Sequence, residues 1–182
     1  MKKLLIALTI GAAIISPAAS ALIVIGDSIS SGKNSWPSHY RDNTGENVKV
    51  LAQSGRRASR FQIPPDLEKN EHDTVVYFLG TNDVLEHDGF AEFKRAFTVH
   101  MAQLKAEGFR VVLILPVLSA NHRPGTIQIR DYIANYSRGL RAWGVDIPCL
   151  DPMEWNYQTW DGLHPTRETS ATMAYRIGEV LK

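Results

Sequence analysis

A three-layer α/β/α domain built around a mostly parallel, five-stranded sheet is what residues 21–182 of this 182-residue chain predict. Two observations carry the prediction. Five short apolar, β-branched segments recur along the chain, and the stretches between them repeat apolar residues at three-four spacing. Strands apolar at every position, as opposed to alternate ones, are what a sheet covered on both faces requires. Helices recurring between such strands supply the covering layers. No internal repeat, low-complexity tract or linker divides the chain, so one domain is expected.

The first twenty residues stand apart from that domain. Met1-Lys2-Lys3 is basic, residues 4–15 are almost unbroken apolar, and Pro17 to Ala21 are small. This pattern predicts a secretory signal peptide over residues 1–20, cut after Ser20 with Ala18 and Ser20 at the small-residue positions. The rival reading is an uncleaved anchor prolonged by residues 21–25. The run is short of the roughly 20 residues a span needs, and Pro17 and Ser20 interrupt it. Secretion, or release into a periplasm, is the expectation.

The elements then follow in order. Residues 22–25, ending at Gly26, predict the first strand, and 48–52, 74–79, 110–115 and 145–150 predict the other four. Phe90, Phe93, Phe97, Met101 and Leu104 form one helical stripe that Gly108 stops. Ile129, Ile133, Tyr136, Leu140 and Trp143 form a second, ended by Gly144. Met173, Ile177 and Leu181 form a third, opened by Pro165-Thr166. These stripes are read as core.

Composition excludes several classes. With 44% hydrophobic residues the chain is not disordered, and 13 Gly with 9 Pro are too few for a fibre. Twenty Lys and Arg against 19 Asp and Glu leave a net charge of +1, which offers nothing to nucleic acid or a polybasic membrane site. A single cysteine, Cys149, permits neither an internal disulfide nor a cysteine zinc cage, and is read as a small buried hydrophobe.

Such a fold binds its ligands beyond the carboxyl ends of the strands. Gly26-Asp27-Ser28-Ile29-Ser30-Ser31-Gly32 follows the first strand there, and Gln53-Ser54-Gly55-Arg56-Arg57 the second. Gly80-Thr81-Asn82-Asp83 follows the third, and Trp160-Asp161-Gly162-Leu163-His164-Pro165 precedes the last helix. Singly these are weak signals, because Ser caps helices and Asn occupies turns. Together they bring a serine, a glycine turn, an amide and an Asp-x-x-His pair to one rim, the parts an acyl-transfer site needs.

Gly26-Asp27-Ser28-Ile29-Ser30 resembles the first block of the GDSL, or SGNH, hydrolase superfamily. Gly55 in Ser54-Gly55-Arg56, Asn82 in Gly80-Thr81-Asn82-Asp83, and Asp161-Gly162-Leu163-His164-Pro165 resemble its other three blocks. Ile29 stands where the name-giving motif has leucine, and Val50-Leu51-Ala52 lacks the asparagine that often opens the second block. The resemblance covers residues 21–182 and implies a flavodoxin-like sheet, a serine esterase or lipase activity and no cofactor. It also implies three oxyanion donors: the N–H groups of Ser28 and Gly55 and the side-chain amide of Asn82.

The residues support that chemistry directly. A serine hydroxyl needs a base within hydrogen-bond reach, and His164 is the only one of six histidines beside both a carboxylate and a turn that resembles a block of that superfamily. Asp161, three residues earlier, is placed to hold the other imidazole N–H and fix its tautomer. Asp27 is read as a brace for the turn around Ser28. The other histidines, His39, His72, His87, His100 and His122, show no metal-binding spacing and are mostly expected to be solvated, so no metal site is predicted. Trp36, Arg56, Phe61, Asn121, His122 and Trp160 are candidate cleft walls, with Arg57 and Arg123 beside them. Arg56, Trp160 and His122 are the candidate substrate contacts.

The expected substrate is a short-acyl or O-acetyl ester, small or polysaccharide-borne, handled by a monomer. A lysophospholipase or thioesterase of the same superfamily is the alternative. A phosphate nest at residues 28–32 leaves the Asp161/His164 pair without a role. A non-catalytic sugar-binding protein is expected to have lost Ser28 or His164, and both are present.

Overall fold

The computed structural model describes residues 21–67, 73–85, 89–119 and 122–182. The predicted leader, His72, His87 and Asn121 lie outside them. Strands β1 (Ala21–Gly26), β2 (Asn47–Ala52), β3 (Thr74–Phe78), β4 (Arg110–Ile114) and β5 (Cys149–Leu150) form one sheet in the order β2-β1-β3-β4-β5. Every neighbouring pair is parallel. Helices α1 (Trp36–Thr44), α2 (Thr81–Leu85), α3 (Gly89–Ala106), α4 (Pro124–Ala142) and α5 (Arg167–Leu181) complete the domain.

Alternation along each central strand builds two cores. Ile23, Ile25, Val75, Tyr77, Val111 and Leu113 point to one face and pack with Phe93, Phe97, Met101, Ile129 and Ile133 of α3 and α4. Leu22, Val24, Val76, Phe78, Val112 and Ile114 point to the other, with Trp36 and Tyr40 of α1 and Met173 and Ile177 of α5. The continuous apolar runs are therefore strands buried on both sides, and the predicted three layers are present. The order reverses between β1 and β3, so the crevice of this fold opens beyond the ends of those two strands.

The structure departs from the sequence reading at several elements. Strand β2 lies on the sheet edge, with Val50 exposed, so its apolar run is only half covered. The predicted strand over 145–150 shrinks to Cys149–Leu150. The Val145 N–H closes the end of α4 on the Leu140 carbonyl, and Ser137 Oγ donates to the Ile147 carbonyl at 2.6 Å. Pro148 has no N–H, so pairing begins at its carbonyl, which accepts the Leu113 N–H at 2.8 Å. Trp143, read as core, follows the last residue of α4 and is 86% exposed. Cys149 is only partly buried, although burial still pushes its thiol up to about 11. Helices α1 and α2 carry no long apolar stripe and escape sequence reading; α1 forms because Trp36 and Tyr40 dock between the sheet and α5.

Candidate active site

Strand β1 stops at Gly26, where a Cβ would meet Ser30 Cβ and Oγ at 2.6 Å; only glycine lets the chain double back this tightly. The next residue, Asp27, caps a single 3₁₀ turn over Ser28–Ser30 by accepting the Ile29 N–H on Oδ1 at 3.0 Å. Asp27 is 1% exposed, and burial raises its carboxyl to about 7 against the opposing pull of the Ile29 N–H and the His164 charge. The brace assigned to Asp27 is what the geometry gives it. Within this turn Ser30 Oγ is buried and accepts from Trp36 Nε1 at 3.0 Å, and Ser31 Oγ donates to the Ser28 carbonyl at 3.2 Å. Both hydroxyls are engaged inside the fold, which removes the phosphate-nest reading.

Ser28 Oγ lies 2.9 Å from His164 Nε2, and His164 Nδ1 lies 2.6 Å from Asp161 Oδ2. A carboxylate only accepts, so the ring proton sits on Nδ1 and Nε2 is free to accept from the serine hydroxyl. Asp161 Oδ1 takes the main-chain N–H groups of Leu163 and His164 at 3.0 and 2.7 Å. Desolvation opposes ionisation, but hydrogen bonds from the His164 ring and from these two N–H groups bring the Asp161 carboxyl down to about 2. The loop itself is a tight antiparallel turn in which Thr159 pairs with Pro165 and the Trp160 N–H donates to the His164 carbonyl at 3.1 Å. From below, Tyr157 OH donates to the Leu163 carbonyl at 3.2 Å.

Asn82 stands at the start of α2. Its amide donates to the Arg56 carbonyl at 3.1 Å and to Asp27 Oδ2 at 3.4 Å, joining the loops after β1, β2 and β3. Gly55, one residue before Arg56, has φ +71, a left-handed turn, with open space where a Cβ would point. Its glycine requirement is thus conformational. The structure brings Ser28, Asp161 and His164 into one hydrogen-bonded line and sets the Gly55 loop and Asn82 beside it.

The candidate walls fare unevenly. Trp36 is a core residue, fully buried. Arg56 is turned inward: Nη1 reaches the Leu51 carbonyl, Nη2 donates to Gln53 Oε1 at 3.2 Å, and the guanidinium sits 4.7 Å over the Phe61 ring. It braces its own loop and lines the small cleft at Gly55, not the cleft at Ser28. His122 bonds the Ser119 carbonyl through Nδ1 at 3.1 Å and is not among the residues lining the cleft at Ser28. Arg123 reaches back to the Val84 carbonyl. Trp160 does line that cleft, an open space of about 310 Å³ shared with Ser28, Lys33, Asn34 and His164.

Two residues that sequence reasoning missed support the site from behind. Asp83 is fully buried, and its two oxygens accept the Ala58 and Ser59 N–H groups at 2.9 Å each. His100, expected to be solvated with most other histidines, is buried: Nε2 donates to the Phe61 carbonyl at 3.0 Å and Nδ1 accepts from Tyr77 OH at 2.9 Å. The only signal for either was its place, Asp83 beside Asn82 and His100 on the apolar stripe of α3. Among the described residues no group of three or more His, Cys, Asp or Glu could hold a metal ion, and no helix is long and apolar enough to cross a membrane.

A serine, imidazole and carboxylate in line at the switch point of a parallel sheet define a class: hydrolases that act on ester bonds. The chain belongs to the GDSL-like lipase/acylhydrolase family, whose model matches residues 24–171. No curated protein matches it in sequence. Among solved structures it is similar to a chain from Desulfitobacterium hafniense described as lipolytic and of the G-D-S-L family. The two share 19% identity at a TM-score of 0.74, over 88% of this chain and 99% of that one. It is also similar to the M. smegmatis aryl esterase, at 17% identity and TM-score 0.62 over 90% and 98% of the two chains. A family 3 carbohydrate esterase from Talaromyces cellulolyticus shares 16% identity at TM-score 0.66, over 89% and 96%. At these identities the likeness is one of fold.

Proposed function

We propose that this protein is an exported serine esterase that cleaves short-acyl or O-acetyl esters, of the carbohydrate type, through an acyl-enzyme on Ser28. The observation that carries the reading is the line Asp161 Oδ2, His164 Nδ1, His164 Nε2, Ser28 Oγ, with contacts of 2.6 and 2.9 Å. In this reading Ser28 Oγ attacks the ester carbonyl while His164 Nε2 takes its proton. The N–H groups of Ser28 and Gly55 receive the oxyanion together with the Asn82 amide, which turns one N–H from its long 3.4 Å contact with Asp27 to do so, each donor contributing about 3 kcal/mol to the barrier reduction. Collapse expels the alcohol, which takes the proton from His164. Water then attacks the acyl carbonyl while His164 accepts its proton; collapse breaks the bond to Ser28 Oγ, which takes that proton back from His164, and the acid leaves.

The open cleft and the exposed Trp160 favour small acyl groups on an exposed carrier such as an acetylated polysaccharide. Fluorophosphonate labelling of Ser28, lost in Ser28→Ala, tests the mechanism; an active, folded enzyme that resists labelling overturns it. Nitrophenyl esters of rising chain length, run beside acetylated xylan and peptidoglycan, test the substrate. One observation favours the longer-acyl alternative. A groove of about 950 Å³ runs between residues 59–65 and α3, lined in part by Phe61, Ile63, Pro65 and Val99. It meets the smaller cleft at Gly55 through Arg60, Phe61 and Gln62. Each methylene buried there adds about 0.8 kcal/mol, so kcat/KM rising steadily from acetyl to octanoyl selects a lysophospholipase or thioesterase instead. Export rests on residues 1–20, and a secreted form whose N-terminus is Ala21 is the expected result of sequencing it.

A further inference from the structure

Trp160 stacks on His164. The two ring centroids are 5.6 Å apart and the planes differ by 21°, while Trp160 remains 71% exposed. The contact follows from the loop's geometry. Thr159 bridges to Pro165 in antiparallel fashion and the Trp160 N–H donates to the His164 carbonyl, so residues 160 and 164 face each other across the turn with their side chains on one side. A large aromatic surface that packs on nothing in either core, yet lies parallel to the one imidazole bonded to Ser28, is placed to act on that ring.

We propose that Trp160 is a positioning residue that stabilises the imidazolium of His164 while that ring carries the proton taken from Ser28, an inference that rests on the base role read for His164. The proton arrives on Nε2, and Nδ1 is already bonded to Asp161, so the ring edges are occupied and only its faces remain. Trp160 covers one face with an electron-rich indole, and a cation within about 6 Å of such a ring is stabilised. The neutral imidazole of the resting enzyme gains less from the same contact, so the stabilisation is differential, which is what lowers a barrier. The other charged groups facing the ring are accounted for. Asp161 belongs to the same loop, Asp27 acts from the end of β1, and Lys33 lines the same cleft. The stack also holds the ring plane against rotation, keeping Nε2 on Ser28.

The test uses Trp160→Phe and Trp160→Leu with nitrophenyl acetate, a substrate too small to need the outer indole face. Trp160→Leu is expected to lose about fivefold in kcat, the equivalent of about 1 kcal/mol, with KM within twofold of the parent. The rate of fluorophosphonate labelling is expected to fall by the same factor. Trp160→Phe, which keeps an aromatic face, is expected to recover most of both. Unchanged kcat in Trp160→Leu, or equal losses in Leu and Phe, overturns the proposal. A rise in KM alone also overturns it and makes Trp160 a substrate contact. His164→Asn separates the two readings: if it retains activity the base assignment fails, whereas an inactive His164→Asn beside a fully active Trp160→Leu removes only the role of Trp160.

Discussion

The Asp83 carboxylate accepts the main-chain N–H of Ala58 at 2.9 Å, bridging 25 residues of sequence and tying the loop after β2 to the loop after β3. Its second oxygen holds Ser59 in the same way. Asn82, its neighbour, holds the Arg56 carbonyl. The segment that carries Gly55 is therefore positioned by two adjacent residues at the start of α2. Replacing Asp83 by Ala strands two N–H donors in and near the core and is expected to cost about 3 kcal/mol in urea unfolding. If the Gly55 N–H is an oxyanion donor, a kcat loss of about tenfold or more on an acetyl ester should accompany it, since that N–H loses its placement. Parental stability in Asp83→Ala would show that water replaces the carboxylate without cost.

Gly55→Ala separates conformation from space. No atom lies within 4 Å of an added Cβ, so a clash is absent and only the left-handed backbone at φ +71 resists the change. The expected cost is about 1 kcal/mol of stability, and Gly55→Asn, which tolerates that region better, should cost less. If Gly55 donates to the oxyanion, kcat falls in Gly55→Ala by more than the stability change suggests, read in the same acetyl-ester assay at a temperature where both proteins are folded.

His100 makes a pH prediction. Burial lowers its pKa below 6.5, more than the Phe61 carbonyl and Asp83 raise it, so the folded ring is neutral where the unfolded one would hold a proton. The unfolded state then binds more protons, and stability is complete above about 6.5 and declines as pH falls below it. His100→Leu leaves Tyr77 OH and the Phe61 carbonyl unpaired and is expected to cost about 2–4 kcal/mol. His100→Gln offers an amide N–H to Phe61 and an oxygen to Tyr77, so it should recover most of that and flatten the slope of Tm against pH on the acid side.

Asp27 has the opposite sign. Its folded pKa is raised to about 7 by burial, against about 4 in the unfolded chain. Between those values the folded state holds the extra proton, so this group's contribution is greatest below pH 4 and is lost as pH rises through 7. Asp27→Asn keeps an oxygen for the Ile29 N–H and cannot ionise. Its Tm relative to the parent is therefore expected to rise from pH 4.5 to pH 8. A constant difference across that range would mean that Asp27 is ionised throughout.

What the sequence determined by itself is what repeats locally or sits within one turn. The unbroken apolar run Leu22, Ile23, Val24 and Ile25 reports a strand covered on both faces, and the spacing of Phe93, Phe97, Met101 and Leu104 reports one helix face, because side-chain direction is set by backbone geometry within a few residues. Asp161 and His164 were legible as a pair for the same reason: three residues apart, they bond each other inside one turn. Tertiary structure alone decided the rest. Ser28 meets His164 across 136 residues, and the contact exists because β1 is an inner strand at the point where the sheet order reverses and α5 packs beside α1. Trp36 became core and not a cleft wall because its indole N–H found the buried Ser30 hydroxyl. Arg56 became a loop brace because Leu51, Gln53 and Phe61 lie within its reach. Asp83, His100 and Tyr77 carry no local pattern, since a buried polar group is defined by partners that only the folded chain brings together.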